Sequence, residues 1–327
     1  MRRLPRAAVV AALVMLAGVL AACDPMSQAA IPTPANTNTP TPTLTATATI
    51  TPTPSATPTP VLTPTATPFP CDEGGEVVEI APNRSASAGE DIPYRVYLPP
   101  CYQQTLRRYP LVILLPSQAG DPDEWEGLGL VSLLDAGIRS QVLPPMVVAM
   151  PVLGRSGGRD IFPPDPSYEG FLLDDLLPAL NRDFCLYERR EYRALGGLGR
   201  GGFWALSIGL RYPTVFGAVG GHSASLPAEV PPAYNPPDIA RNSADLSASG
   251  LRIYMDSGVQ DTDVAAGLQR LSDRLTARQI AHTYLINPIG VADAAYWTSH
   301  LGEYLAFYGQ PWPRDLGSLP DCRQPSP

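Results

Sequence analysis

The sequence predicts an α/β domain with a mostly parallel central sheet and helices on both of its faces. Three observations lead there. Uninterrupted apolar runs recur, as in YPLVILL (109–115) and MVVAMP (146–151). Such runs suit strands buried on both faces. Segments of helical period alternate with them, as in YEGFLLDDLLPALNR (168–182). A glycine-dense turn, Gly196-Gly197-Leu198-Gly199-Arg200-Gly201-Gly202, stands between a short strand pattern and a helix pattern. Strands that alternate with helices imply βαβ units and a parallel sheet.

The elements follow in order. DIPYRVYL (91–98) reads as a strand closed by Pro99-Pro100, and the strands at 109–115 and 146–151 follow. The helix at 168–182 comes next, then a short strand YRALG (192–196) and a helix GFWALSIGLR (202–211) that Pro213 stops. Strands VFGAVGG (215–221) and LRIYMD (251–256), a helix at 262–280, a strand HTYLIN (282–287) and a helix AAYWTSHLGEYLAFY (294–308) complete the series.

This domain does not fill the 327-residue chain. Residues 31–70 hold 11 of the 39 prolines and 15 threonines, with no charged residue. Such a segment buries too little apolar surface to offset its ordering entropy. We expect a Thr/Pro-rich disordered stalk over 23–70, polyproline-like and able to reach on the order of 100 Å. The folded domain then spans 71–327. Ahead of the stalk, Arg2, Arg3 and Arg6 precede 16 apolar residues from Ala7 to Ala22. That pattern fits a signal peptide over 1–22 and is short for a spanning helix. Its end, Leu20-Ala21-Ala22-Cys23, resembles a bacterial lipobox, which implies lipid attachment at Cys23. The expected location is extracytoplasmic, at the cell surface, with the bacterial membrane as partner through that lipid. The formal net charge of −8 falls to −11 once residues 1–22 are removed with their three arginines. Nucleic acid is therefore excluded as a partner, because phosphate binding needs the opposite sign.

Removing Cys23 from the count leaves Cys71, Cys101, Cys185 and Cys322, an even number in an exported domain. Two disulfides are expected from three connectivities, with a lean to Cys71–Cys322 and Cys101–Cys185. No pair has CxxC spacing and His222, His282 and His300 are scattered, so no metal site or cofactor is expected.

A glycine-rich strand-to-helix turn serves either phosphate binding or a nucleophile elbow of the form G-x-S-x-G. The chain has no GxxxxGK[ST] and no lysine, and the turn lies late in the domain. The elbow is the better reading. The blocks YRVYLPPCY (94–102), RRYPLVILL (107–115), LPPMVVAMP (143–151), GLGRGGFWALSIGLRYPTVFGAVGGHSASL (197–226) and AYWTSHLGEYLAFY (295–308) carry a resemblance. Residues 93–309 resemble the esterase family of α/β-hydrolases, with its enterochelin esterase-like and esterase D-like proteins, feruloyl esterases and mycolyltransferases. The resemblance implies the α/β-hydrolase fold and a serine–histidine–acid triad.

The catalytic positions depart from that pattern. The position the resemblance gives to the nucleophile is Gly199, and the position of the base is Ala292 in Gly290-Val291-Ala292-Asp293. The oxyanion loop, Leu-Leu-His-Gly in the family, reads Leu114-Leu115-Pro116-Ser117. Arg200 supplies the elbow amide. Only the acid position is filled, by Asp261, with Asp263 as second candidate. Losing serine or histidine alone from such a triad costs about 10⁶ in kcat. The expectation is therefore a pseudo-esterase whose pocket serves a small-molecule or cell-envelope ligand. Two alternatives stand beside it: an active serine esterase or acyltransferase with relocated catalytic groups, and a structural surface protein. For relocation, Ser223 beside His222 is a poor start, since neighbours on an extended segment point apart. His300 reads as a packed or surface histidine, and Trp125, Trp204, Tyr296 and Trp297 as core residues.

Overall fold

The computed structural model describes residues 72–324 apart from 82, 83 and 119. The expected signal peptide, Cys23, the stalk and Cys71 lie outside the described residues. Eight strands form one sheet: β1 (Glu76–Ile80), β2 (Tyr94–Leu98), β3 (Leu111–Leu115), β4 (Val147–Pro151), β5 (Arg193–Leu198), β6 (Ala218–His222), β7 (Arg252–Gly258) and β8 (Thr283–Asn287). Their order is β1-β2-β4-β3-β5-β6-β7-β8. β2 runs antiparallel to both β1 and β4, and the other pairings are parallel. This is the expected α/β-hydrolase architecture, a mostly parallel sheet covered on both faces.

The continuous apolar strands are explained by two cores. Leu111, Ile113 and Leu115 of β3 face one core, and Val112 and Leu114 face the other. The first core holds α2 (a helical run from Tyr168 to Asp183), α3 (Gly199–Arg211) and α5 (Thr262–Ala277). The second holds α1 (Leu130–Arg139) and α6 (Ala294–Gly309). Between α3 and α5, the short α4 (Pro236–Asn242) buries Ile239 in the first core. Trp204 lies in the first core, and Trp125, Tyr296 and Trp297 lie in the second.

The structure differs from the sequence reading at five elements. β1, α1 and α4 lie outside the predicted series. α3 begins at Gly199 and not near 202, because the elbow glycines themselves form its first turn. α2 is interrupted by a π-turn over Phe171–Leu176. Pro178 has no N–H for the helical ladder, and Leu177 N–H bonds back five residues to Leu172 O.

The cysteine pairing corrects the sequence reading. Cys185 is bonded to Cys322, with Cα atoms 5.7 Å apart. Cys101 is disulfide-bonded as well, and Cys185 is not its partner. The C-terminal segment runs back past β3: Cys322 N–H bonds Leu106 O and Arg108 N–H bonds Pro320 O. That path brings Cys322 beside Cys185, two residues beyond α2. Among the described residues, no helix is long and apolar enough to cross a membrane.

Candidate functional site

The chain leaves β3 for β4 on one side and places β5 on the other, so strand order reverses at β3. In open α/β sheets, ligands bind beyond the carboxyl ends of the strands at such a switch point. Pro116-Ser117 follows β3 there, and Gly199 follows β5, with Leu115 paired to Gly197.

The elbow is built by its glycines. Gly199 has φ +49°, a left-handed conformation. A Cβ at Gly197 would lie 2.3 Å from the Gly201 carbonyl carbon, and one at Gly201 would lie 2.3 Å from Pro116 O. Those two positions are closed to any side chain. At Gly199 the nearest atom to an added Cβ is Ser117 Cβ at 3.8 Å, an ordinary contact. The elbow thus keeps both the backbone geometry and the room for a nucleophile, while residue 199 offers no side chain. Arg200, at the N-terminus of α3, turns its guanidinium away into buried contacts. It donates to Gly157 O (3.1 Å), Arg159 O (3.0 Å) and Asp160 Oδ1 (2.7 Å), and lies over the rings of Phe203 and Trp204.

The oxyanion loop is tied down from within. Ser117 donates its N–H to Glu124 Oε2 (2.7 Å) and its hydroxyl to Glu124 Oε1 (2.6 Å). A carboxylate acceptor thus already engages that amide. Three strands across the sheet from β3, Asp261 lies after β7 and immediately precedes α5. Its Oδ2 accepts the Ala292 amide at 3.2 Å, and Gln260 Oε1 accepts the Gly290 amide at 3.0 Å. The acid position and the base position therefore lie side by side. The link between them is a backbone amide, and Ala292 has no group that can carry a proton. Asp263 is exposed in the first turn of α5.

The histidines sit elsewhere. His222 is fully buried and donates through Nδ1 to Asp256 Oδ1 at 2.8 Å. Its Nε2 meets Tyr308 OH at 2.7 Å, and its ring stacks on Tyr304 at 3.5 Å. Asp256 Oδ2 also accepts from Tyr296 OH (2.7 Å) and Tyr304 OH (2.9 Å). Burial first, and then the charge of Asp256, push both tyrosine hydroxyls well above their usual range. This buried cluster pins α6 to β6 and β7. It was missed in the sequence, although the Asp of the apolar strand LRIYMD was its signal. Ser223 turns away from His222, and its Oγ accepts from Trp297 Nε1 at 3.3 Å. His282 Nε2 is bonded to Ser272 Oγ at 2.8 Å, but His282 lies at the amino end of the edge strand β8, whereas the elbow follows the carboxyl end of the central β5. His300 meets Glu303 at 3.3 Å on α6. Among the described residues, no histidine hydrogen bond reaches a serine of the elbow cleft.

Comparison with known proteins accords with this architecture. A family model described as "Putative esterase" matches residues 85–308, more than two thirds of the chain. Esterase MT1326 and Esterase Rv1288, from two strains of Mycobacterium tuberculosis (CDC 1551 / Oshkosh and ATCC 25618 / H37Rv), are each 30% identical over 134 residues. That match covers 39% of this chain and only 28% of each relative's length. A solved ferulic acid esterase superposes with a TM-score of 0.65 at 21% identity, over 73% of this chain and 99% of its own. The fluorophosphonate-binding serine hydrolase FphF of Staphylococcus aureus gives 0.57 at 16% identity, over 72% of this chain and 99% of its own.

Proposed function

Because the chain belongs to this esterase family, we propose that it is a lipid-anchored, extracytoplasmic pseudo-esterase, which binds a ligand or scaffolds at the elbow cleft without hydrolysing it. One observation carries the reading: Gly199 holds the left-handed elbow conformation of a nucleophile and has no side chain. Ala292 against Asp261 and the Ser117–Glu124 bonds are in keeping with it. A triad without its nucleophile or base loses about 10⁶ in kcat. What remains is the elbow backbone at a helix N-terminus, which would serve a small-molecule or cell-envelope ligand. The Cys23 lipid and the Thr/Pro stalk would hold this cleft away from the membrane. The sequence suggests no cofactor.

The native full chain should remain unlabelled by a fluorophosphonate probe and inactive on short-chain p-nitrophenyl esters. The Gly199→Ser, Ala292→His double variant should gain labelling at residue 199. Labelling of the native chain would overturn the reading. For the anchor, labelled palmitate should enter the native chain in a bacterial host and be absent from Cys23→Ser.

A further inference from the structure

The sheet has two edges, and the chain treats them differently. β1 carries exposed Glu76 and Glu79, the kind of charge that protects an edge strand from pairing. β8, Thr283-Tyr284-Leu285-Ile286-Asn287, carries no charge and no proline, and Leu285 and Ile286 are 41% and 47% exposed. Among the described residues, seven large apolar side chains stand exposed. Five of them cluster there: Leu285 and Ile286 on β8, Ile289 and Val291 just after it, and Val259 after β7 with its amide bonded to Asn287 O. An uncharged edge strand with apolar flanks is a ready template for another strand.

We infer that β8 pairs antiparallel with β8 of a second copy, joining two sheets across a two-fold axis at Leu285. The strand is self-complementary in that register. Tyr284 bonds Ala265 O of α5, and Asn287 bonds Tyr296 OH of α6, which fixes the two faces. Leu285 then meets Leu285 of the partner subunit on the α6 face. On the α5 face, Tyr284 meets Ile286 of the partner subunit on both sides of the axis, an aromatic–β-branched pair of the kind that stabilises sheets. Charge favours a second copy at this edge: two chains of formal charge −8 meet where neither presents a charge, whereas β1 would set glutamates against glutamates. The segment preceding residue 72 joins the domain at the opposite edge. Asp72 O accepts from Arg139, and the Gly75 amide bonds Asp135. Seven strand spacings, roughly 34 Å, separate that edge from β8.

Sedimentation velocity of the full chain in detergent tests this. The native protein should sediment as a dimer at micromolar concentration. Leu285→Lys, Ile286→Lys should raise the dissociation constant about 100-fold or more, since it buries unpaired charges. Val142→Lys, at an exposed apolar site away from β8, should leave it unchanged. Leu285→Cys should form an intermolecular disulfide, because facing Cα atoms in an antiparallel pair lie about 4.5–5.5 Å apart. A monomeric native chain, whether β8 is free or covered by the leading segment or another protein, overturns the inference. So does a double-lysine variant that remains dimeric.

Discussion

Gly199, Gly197 and Gly201 are one residue type in three different roles, and substitution should separate them. A serine at 199 meets ordinary contacts but must adopt φ +49°. Gly199→Ser should therefore lower unfolding free energy by about 1–2 kcal/mol. Gly197→Ser and Gly201→Ser force a Cβ to within 2.3 Å of backbone. They should cost more than Gly199→Ser, enough to reduce soluble yield, and urea unfolding of the three variants checks the order. The elbow was legible in the sequence because all its residues are consecutive. The buried acid was not, because His222 and Asp256 meet only through the β6–β7 register, 34 residues apart. Asp256→Ala would orphan His222, Tyr296 and Tyr304 together, and should cost about 3–5 kcal/mol. Asp261→Ala, which releases one half-exposed amide contact, should cost under about 1 kcal/mol in the same urea experiment. The ratio distinguishes a carboxylate that holds the fold from one that makes a single backbone contact.

Among the elements, the strands buried on both faces and the long helices were legible because their pattern is local. β1 was not, since EVVEI is five residues long, holds two glutamates and becomes a strand only against β2. α1 was hidden for a related reason. Its buried residues Leu130, Leu134 and Ile138 keep helical spacing, but Gly129 and Gly137 interrupt the composition. The disulfide pairing belongs to this class too, because the path of the C-terminal segment past β3 decides it. Cys185 and Cys322 close a loop of 137 residues. Cross-linking so long a loop restricts the unfolded chain, so Cys185→Ser, Cys322→Ser should lower stability by about 2–4 kcal/mol. Denaturant titration under non-reducing conditions reads that loss. The same variant should keep its far-ultraviolet circular dichroism, because the bridge lies at the periphery of the sheet.

At the scale of the whole molecule, an unusual composition sets the alkaline limit of the fold. The chain has 14 tyrosines and no lysine, and all its Lys/Arg charge is arginine. Arginine keeps its charge beyond pH 12, so tyrosine is the side chain that titrates in numbers near pH 10. Burial, the leading cause in each case, pushes the hydroxyls of Tyr109, Tyr187 and Tyr212 up to about 12. Charge repulsion from neighbouring Tyr192 adds to this at Tyr187, and the neighbouring Glu169 adds to it at Tyr212. Tyr97, Tyr168, Tyr304 and Tyr308 are held higher still, again by burial first. The folded values lie above the unfolded value of about 10, so the unfolded state releases its protons first. These groups stabilise the fold fully below pH 10, and their contribution is lost as pH rises towards 12. Tyrosinate absorbance near 295 nm should therefore rise as a cooperative step above pH 10, coincident with loss of circular dichroism. Gly199→Ser should shift the midpoint of this loss only as far as its own stability cost requires. A gradual absorbance rise at constant circular dichroism would mean that these hydroxyls are open to solvent, contrary to their burial between the sheet and its helices.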